Sequence, residues 1–229
     1  MTEDKPPLES LYPFLHGKRK NAVEANDALI NSVKQKARHS IEAKHAFFDA
    51  NGQALVQAAQ AMAAVYRGGH RLFTMGNGGS SCDAAHFAVE FSHPVTTGRP
   101  ALPAINLSMD NAMISAIAND VGIEYVFSRQ LDSLAKKGDG IIGFSTSGHS
   151  QNLLKAYQKA KEMELMTFGF VGGDGGEMAT SGLLEHCLVV NTDSIHRVQE
   201  VHVASYHILW DLVHTILADD RGKLVEASK

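Results

Sequence analysis

Cysteine is scarce: Cys82 and Cys187 are the only two in 229 residues. Two cysteines argue against a disulfide-built scaffold and read as reduced thiols of a cytosolic protein. No apolar run approaches the roughly 18 residues that a spanning helix requires, so no membrane segment is expected. The first ten residues, MTEDKPPLES, are acidic and contain proline, unlike a signal peptide; the expected location is cytoplasmic. An excess of positive charge is also missing. The formal net charge is −4, which excludes a broad basic field for direct nucleic-acid binding. The local basic patch His16–Lys20 reads as a solvated segment. Two nucleotide signatures are missing as well. There is no G-x-x-x-x-G-K-[ST], which disfavours a P-loop. The turn Gly76-Asn77-Gly78-Gly79-Ser80-Ser81 lacks G-x-G-x-x-G spacing, and no acidic residue follows suitably about 20 residues on, which disfavours a dinucleotide site.

What is present is an alternation. The chain has room for one large domain or a domain with an appendage. Its pattern divides it into an N-terminal extension and helix, 1–40, and a main domain, 41–229. Asn21–Lys36 and Ile41–Arg67 carry apolar residues at three- and four-residue steps and read as helices, with a kink or short loop at Asn51-Gly52. Leu11–Leu15 is a small apolar knot suited to docking. Beyond Gly68-Gly69, short apolar runs (71–75, 104–107, 140–144, 166–171 and one within 183–190) alternate with helical stretches. Asn119–Gly122 separates two of those helices, and Val198–Leu217 closes the chain. The expected fold is α/β: a three-layer, doubly wound, mostly parallel sheet with extra N-terminal helices.

In such a sheet, ligands sit beyond the carboxyl ends of the strands. Two of those ends carry Gly- and Ser-rich loops. Gly76–Ser81 turns tightly and leads into a helix starting at Ser81, Cys82 or Asp83, whose N-terminus favours an anion. Ser145-Thr146-Ser147-Gly148-His149-Ser150 offers four hydroxyls and a helix N-terminus directly after. Two hydroxyl-rich loops on one sheet favour phosphate binding over ordinary helix capping.

His86 and Glu90 stand four apart, on one helix face, which suits a metal pair, an acid/base pair or a structural ion pair. On the last helix Gln199 and His207 lie eight apart, about 80° around the axis. Both can face one site. Spacing does not choose between His202 and His207.

Taken together, the Gly76–Ser80 turn, His86 with Glu90, Ala118-Asn119-Asp120, Ser145–Gly148, Gly172–Gly176 and Arg197–His202 resemble the SIS (sugar isomerase) domain. More narrowly they resemble the phosphoheptose isomerases, over about residues 40–218. These enzymes convert sedoheptulose 7-phosphate to a D-glycero-manno-heptose 7-phosphate for lipopolysaccharide and surface-glycan precursors. The resemblance implies a flavodoxin-like SIS fold in a homotetramer with shared active sites. It implies Zn²⁺ held by His86, Glu90, Gln199 and His207, Glu90 as base and His207 as opposing acid/base. Phosphate falls to Ser145, Thr146, Ser147 and Ser150. Sugar-chain contacts fall to Asn77, Gly78, Gly79, Ser80, Asn119, Asp120 and Gln199.

Two departures stand out. The loop after Glu90 usually carries arginine in these isomerases; here it reads Ser92-His93-Pro94-Val95, with no arginine before Arg99. His196 stands where the family usually has Asp. Two other readings compete. One is a relative that binds the DnaA replication initiator as a non-catalytic SIS tetramer; it shares the glycine turn and Ile117–Asp120 but lacks the histidine matching His207. The other is an isomerase for a different ketose phosphate.

Overall fold

The computed structural model describes residues 22–227, with side chains described for 26–219. The apolar knot at 11–15 and the basic patch at 16–20 lie outside the described residues. The chain divides into two compact units, Met1–His39 and Ser40–Lys229.

Helix α1 spans Ala22–Arg67. It is continuous through 37–40, joining the two expected helices into one, and through Asn51-Gly52, where a kink or short loop was expected. A helical glycine costs about 1 kcal/mol relative to alanine. Phe47, Leu55, Ala58 and Met62, on either side of it, are all buried and outweigh that cost. Asn51 itself stays in the helical register, its Nδ2 donating to the Phe47 carbonyl at 3.0 Å.

The remaining elements alternate: β1 Leu72–Gly76, α2 Gly79–Ser92, β2 Ala104–Asn106, α3 Asn111–Asp120, a single 3₁₀ turn Ile123–Tyr125, α4 Ser128–Leu134, β3 Gly140–Ser145, α5 Gln151–Glu162, β4 Met166–Gly172, α6 Gly176–Thr180, β5 His186–Val190 and α7 Ile195–Ala227. The strands form one parallel sheet in the order β2-β1-β3-β4-β5. Every residue of β1 and β3 is buried, as expected for central parallel strands covered on both faces.

Side-chain alternation splits the interior in two. Leu72, Ile142, Phe144, Phe168 and Phe170 point to a layer made by residues 47–66 of α1, by α2 and by α7. Phe73, Met75, Ile141 and Val171 point to the opposite layer, which includes α3, α4 and α5. The expected three-layer, doubly wound α/β architecture is therefore the observed one. The connection leaving β1 runs through α2 to β2 on one side, and the connection leaving β3 runs through α5 to β4 on the other. The crevice between the carboxyl ends of β1 and β3 is thus the topological switch point where such sheets bind ligands.

Candidate active site

The glycine turn is tighter than expected. α2 starts at Gly79, with Gly78 as its N-cap, so the helix opens two residues earlier than the sequence suggested. The Ser80 and Ser81 N–H groups donate to the Asn77 and Gly78 carbonyls. Asn77 reaches across the crevice to Asn152 in the first turn of α5. Their amides bond each other twice, at 2.9 and 2.8 Å. Ser108 joins from β2: its hydroxyl donates to the Gly76 carbonyl at 3.0 Å and accepts from the Gly76 N–H at 3.1 Å. The turn is therefore pinned to both neighbouring strands' loops.

The serine loop shapes itself. The Ser145 hydroxyl is buried and accepts from the Gly148 N–H at 2.9 Å. Gly148 has a φ of +71°, and a Cβ there would collide with the Gly175 carbonyl; only glycine fits. Ser150 is the N-cap of α5, but its hydroxyl makes no capping bond. Ser147 and Ser150 are exposed and half-buried respectively, and Thr146 is half-buried. These hydroxyls lie directly before a 12-residue helix, whose N-terminus favours an anion.

α2 and α7 run in the same direction, because their partners climb together. A Cβ at Gly79 would collide with the Gln199 amide. Asp83 lies opposite His202. His86 lies against Tyr206 and His207, with ring centroids 5.2 and 5.1 Å away. The Glu90 carbonyl accepts from Trp210 Nε1 at 2.8 Å. This register decides between the two histidines that spacing left open. His207 joins His86 and Glu90, and one ligand atom from each lies within 4.8 Å of the others. His202 is fully buried under the Phe144 and Phe170 rings.

His86 is held at both nitrogens. Nε2 is 3.2 Å from Glu90 Oε1, and Nδ1 is 2.7 Å from the Tyr206 hydroxyl. Burial, with help from Asp83 and Glu90, raises the Tyr206 phenol so that it stays protonated. Two imidazoles and one carboxylate form an N/O donor set of the kind zinc takes. Gln199 stands two turns earlier on α7, about 12 Å of helix rise from His207, beside the glycine turn. Asn119 and Asp120 form the last turn of α3 rather than a loop, and Asn119 Nδ2 donates to Asp120 Oδ1 at 2.8 Å.

Beneath the trio, Asp83 and His202 face each other at 4.0 Å. Burial pushes the Asp83 carboxyl up to about 7 and the His202 imidazole down to about 3. A neutral carboxylic acid beside a neutral imidazole is the state that removes two charges from the apolar layer. Both cysteines are free, and burial raises the Cys187 thiol to about 11.

The two departures in the sequence have definite places. Arg99 does not face the trio: it lies 4.6 Å over the Trp210 ring and pairs with Asp211 at 2.5 Å. His196 is exposed in the first turn of α7, next to Arg197, which pairs with Glu200 at 2.5 Å. Tyr206, Trp210, Asn152 and Ser108 all touch the site, and none stood out in the sequence. Tyr206 and Trp210 are aromatic residues within an apolar helix, with no spacing that marks them for a site.

Residues 37–172 match the SIS domain family; the match ends before α7. The phosphoheptose isomerase of Desulfovibrio desulfuricans is 38% identical over 200 residues, covering 87% of this chain and 94% of the relative. That of Helicobacter pylori is 39% identical over 183 residues, covering 80% and 94%. Among solved structures, the phosphoheptose isomerase of Neisseria gonorrhoeae superposes with a TM-score of 0.76 at 32% identity, covering 82% of this chain and 99% of that one. The Francisella tularensis phosphoheptose isomerase gives 0.77 at 31%, covering 81% and 98%.

Proposed function

The chain belongs to the SIS-domain phosphoheptose isomerase family, and on that premise we propose how its own residues isomerise sedoheptulose 7-phosphate to a D-glycero-manno-heptose 7-phosphate. The observation that carries the reading is the convergence of His86, Glu90 and His207 from two parallel helices. It lies on the sheet layer served by the glycine turn.

The chemistry sets what the site must do. Ketose to aldose requires C1 to lose a proton and O2 to gain one, giving a 1,2-enediol. O1 then loses a proton and C2 gains one. Glu90 is the base that takes the C1 proton; a carboxylate held near the substrate suits that role. Its Oε1 faces His86, leaving its second oxygen for proton transfer. His207 works opposite as the partner acid/base. The serine loop, with Ser145, Thr146, Ser147 and Ser150, receives the phosphate at the N-terminus of α5. Asn77, Gly78, Gly79, Ser80 and Gln199 line the turn that holds the sugar chain, and Asn119 and Asp120 contribute further hydroxyl contacts.

The donor set fits Zn²⁺, with His86, Glu90 and His207 as holders; Gln199, expected as a fourth, is set apart beside the glycine turn and is left to the sugar chain. Bound there, zinc would supply Lewis-acid stabilisation of developing oxyanion charge. The assembly we propose is a homotetramer. His207 is exposed on a single chain, and a neighbouring subunit would exclude water from it. No described helix is long and apolar enough to cross a membrane. We assign the enzyme to the cytoplasm, making precursors of lipopolysaccharide or related glycans.

The test is isotopic. Turnover in D₂O should place one deuterium at C2 of the aldose product. An aldose pool with no deuterium at C2 at all would contradict proton transfer through an exchangeable Glu90/His207 pair.

A further inference from the structure

His86 presents Nε2 to Glu90 and Nδ1 to a phenol. The Tyr206 side chain is 1% exposed. Its ring is fixed by Phe87 and Phe144, with centroids 6.2 and 6.0 Å away. Its hydroxyl ends 2.7 Å from His86 Nδ1. Nothing in the family reading assigns this residue a part.

We infer that Tyr206 is the positioning residue of His86, a partner that accepts either imidazole tautomer and so lets Nε2 alternate between donating to Glu90 and ligating a cation. The inference rests on the metal-site reading above. A neutral imidazole has one N–H and one lone pair. When Nε2–H donates to the Glu90 carboxylate, Nδ1 is a lone pair and needs a donor; the Tyr206 O–H supplies it. When the Nε2 lone pair goes to a divalent cation, the proton resides on Nδ1 and needs an acceptor; the same hydroxyl oxygen supplies it. A carboxylate at that position would serve only the second state, and a backbone N–H only the first. A hydroxyl serves both by rotation. The exchange moves the imidazole proton from Nε2 to Nδ1 with no net gain or loss.

Burial gives the contact its weight at the Tyr206 end. A phenol shut in an apolar layer needs a partner, and Phe at 206 removes that need, while the half-exposed His86 ring can turn to water in its place. Removing the hydrogen-bond partner at the other nitrogen of a metal-binding histidine changes metal affinity by about 10- to 100-fold. Phenylalanine at 206 keeps the ring packing and deletes only the oxygen.

The experiment uses the full chain and Zn²⁺ itself. Metal-free wild type, Tyr206→Phe, His86→Ala and the double variant are titrated in competition with a chromophoric chelator. Thermal midpoints of the metal-free proteins and Co²⁺ absorption spectra are recorded beside them. The expected result is a Zn²⁺ affinity about 10- to 100-fold weaker in Tyr206→Phe, an altered Co²⁺ spectrum, and a metal-free midpoint close to wild type. In the His86→Ala background, Tyr206→Phe should cause no further loss. Wild-type affinity in Tyr206→Phe, or an equal loss with and without His86, overturns the role of Tyr206 while leaving the metal site standing. A wild-type protein that takes up no Zn²⁺ overturns both.

Discussion

Asn77 and Asn152 hold each other by two reciprocal amide bonds across the crevice between β1 and β3. One residue belongs to the turn proposed to hold the sugar, the other to the first turn of the helix proposed to face the phosphate. The pair therefore sets the distance between the two ends of the substrate site. Asn152→Asp keeps one arm and opposes two oxygens across the other. The cost should be about 1–3 kcal/mol of stability, read from urea unfolding. KM for the ketose phosphate should rise more than kcat falls, because the change acts on where substrate is held. An unchanged KM would separate the pair from substrate placement.

Gly79 has a second, different constraint. A Cβ there would meet the Gln199 amide, the far end of a flexible side chain that can swing aside, so Gly79→Ala should change a denaturant midpoint little and act by displacing Gln199 from the turn. Activity should fall in Gly79→Ala about as far as in Gln199→Ala, and the double variant should lose no more than either. Additive losses in the two variants would show that the two residues do not press on each other.

The Asp83/His202 pair gives a pH signature with a definite sign. Asp83 has its carboxyl raised from 3.8 to about 7, so alone it favours the native state at low pH and loses that advantage as pH rises from about 4 to about 7. His202 is lowered from 6.5 to about 3, so alone it destabilises as pH falls from 6.5 toward 3. Between about pH 4 and 6.5 the unfolded chain carries its proton on the histidine and the folded chain carries it on the aspartate. The pair then contributes no net slope. Asp83→Asn should expose the histidine term: stability falls on acidification by up to about 1.4 kcal/mol per pH unit. His202→Phe should expose the opposite slope, falling as pH rises. Thermal or urea midpoints across pH 4–7 measure both; variants that keep the wild-type slope would contradict the pairing.

Much of this was legible before the structure. The alternation of short apolar runs with helices specified the layered parallel sheet, and a spacing of four put His86 and Glu90 on one face. What was not legible depends on distant partners. The choice of His207 over His202 follows from the parallel register of α2 and α7, which no local spacing encodes. The Asn77–Asn152 bond exists because the strand order places β1 beside β3. The Tyr206 ring is a core residue like its neighbours; only the partner at its hydroxyl distinguishes it. Asn51-Gly52 misled in the other direction. Its local turn chemistry is real, but buried residues on either side of it hold the helix straight through.

Trp210 ties the loop after α2 to Glu90. Its indole N–H donates to the Glu90 carbonyl, and its ring carries the Arg99 guanidinium. Trp210→Phe should keep a stacking surface for Arg99 and release the carbonyl. We expect kcat to fall several-fold with KM little changed, checked by steady-state kinetics. Arg99→Ala should loosen the loop without touching that hydrogen bond, and its effect should fall on stability first. Equal kinetic losses in both would mean that the loop, rather than the carbonyl, governs Glu90.

The proposed roles of Glu90 and His207 come down to turnover of one substrate. Zinc-supplemented wild type, Glu90→Gln and His207→Ala are incubated with sedoheptulose 7-phosphate, and aldose phosphate is measured directly by NMR. Wild type should form the aldoheptose phosphate, and each variant should lose about 10²- to 10⁴-fold in kcat while remaining folded. No product from wild type, or full activity in Glu90→Gln, would contradict the assignment of this site.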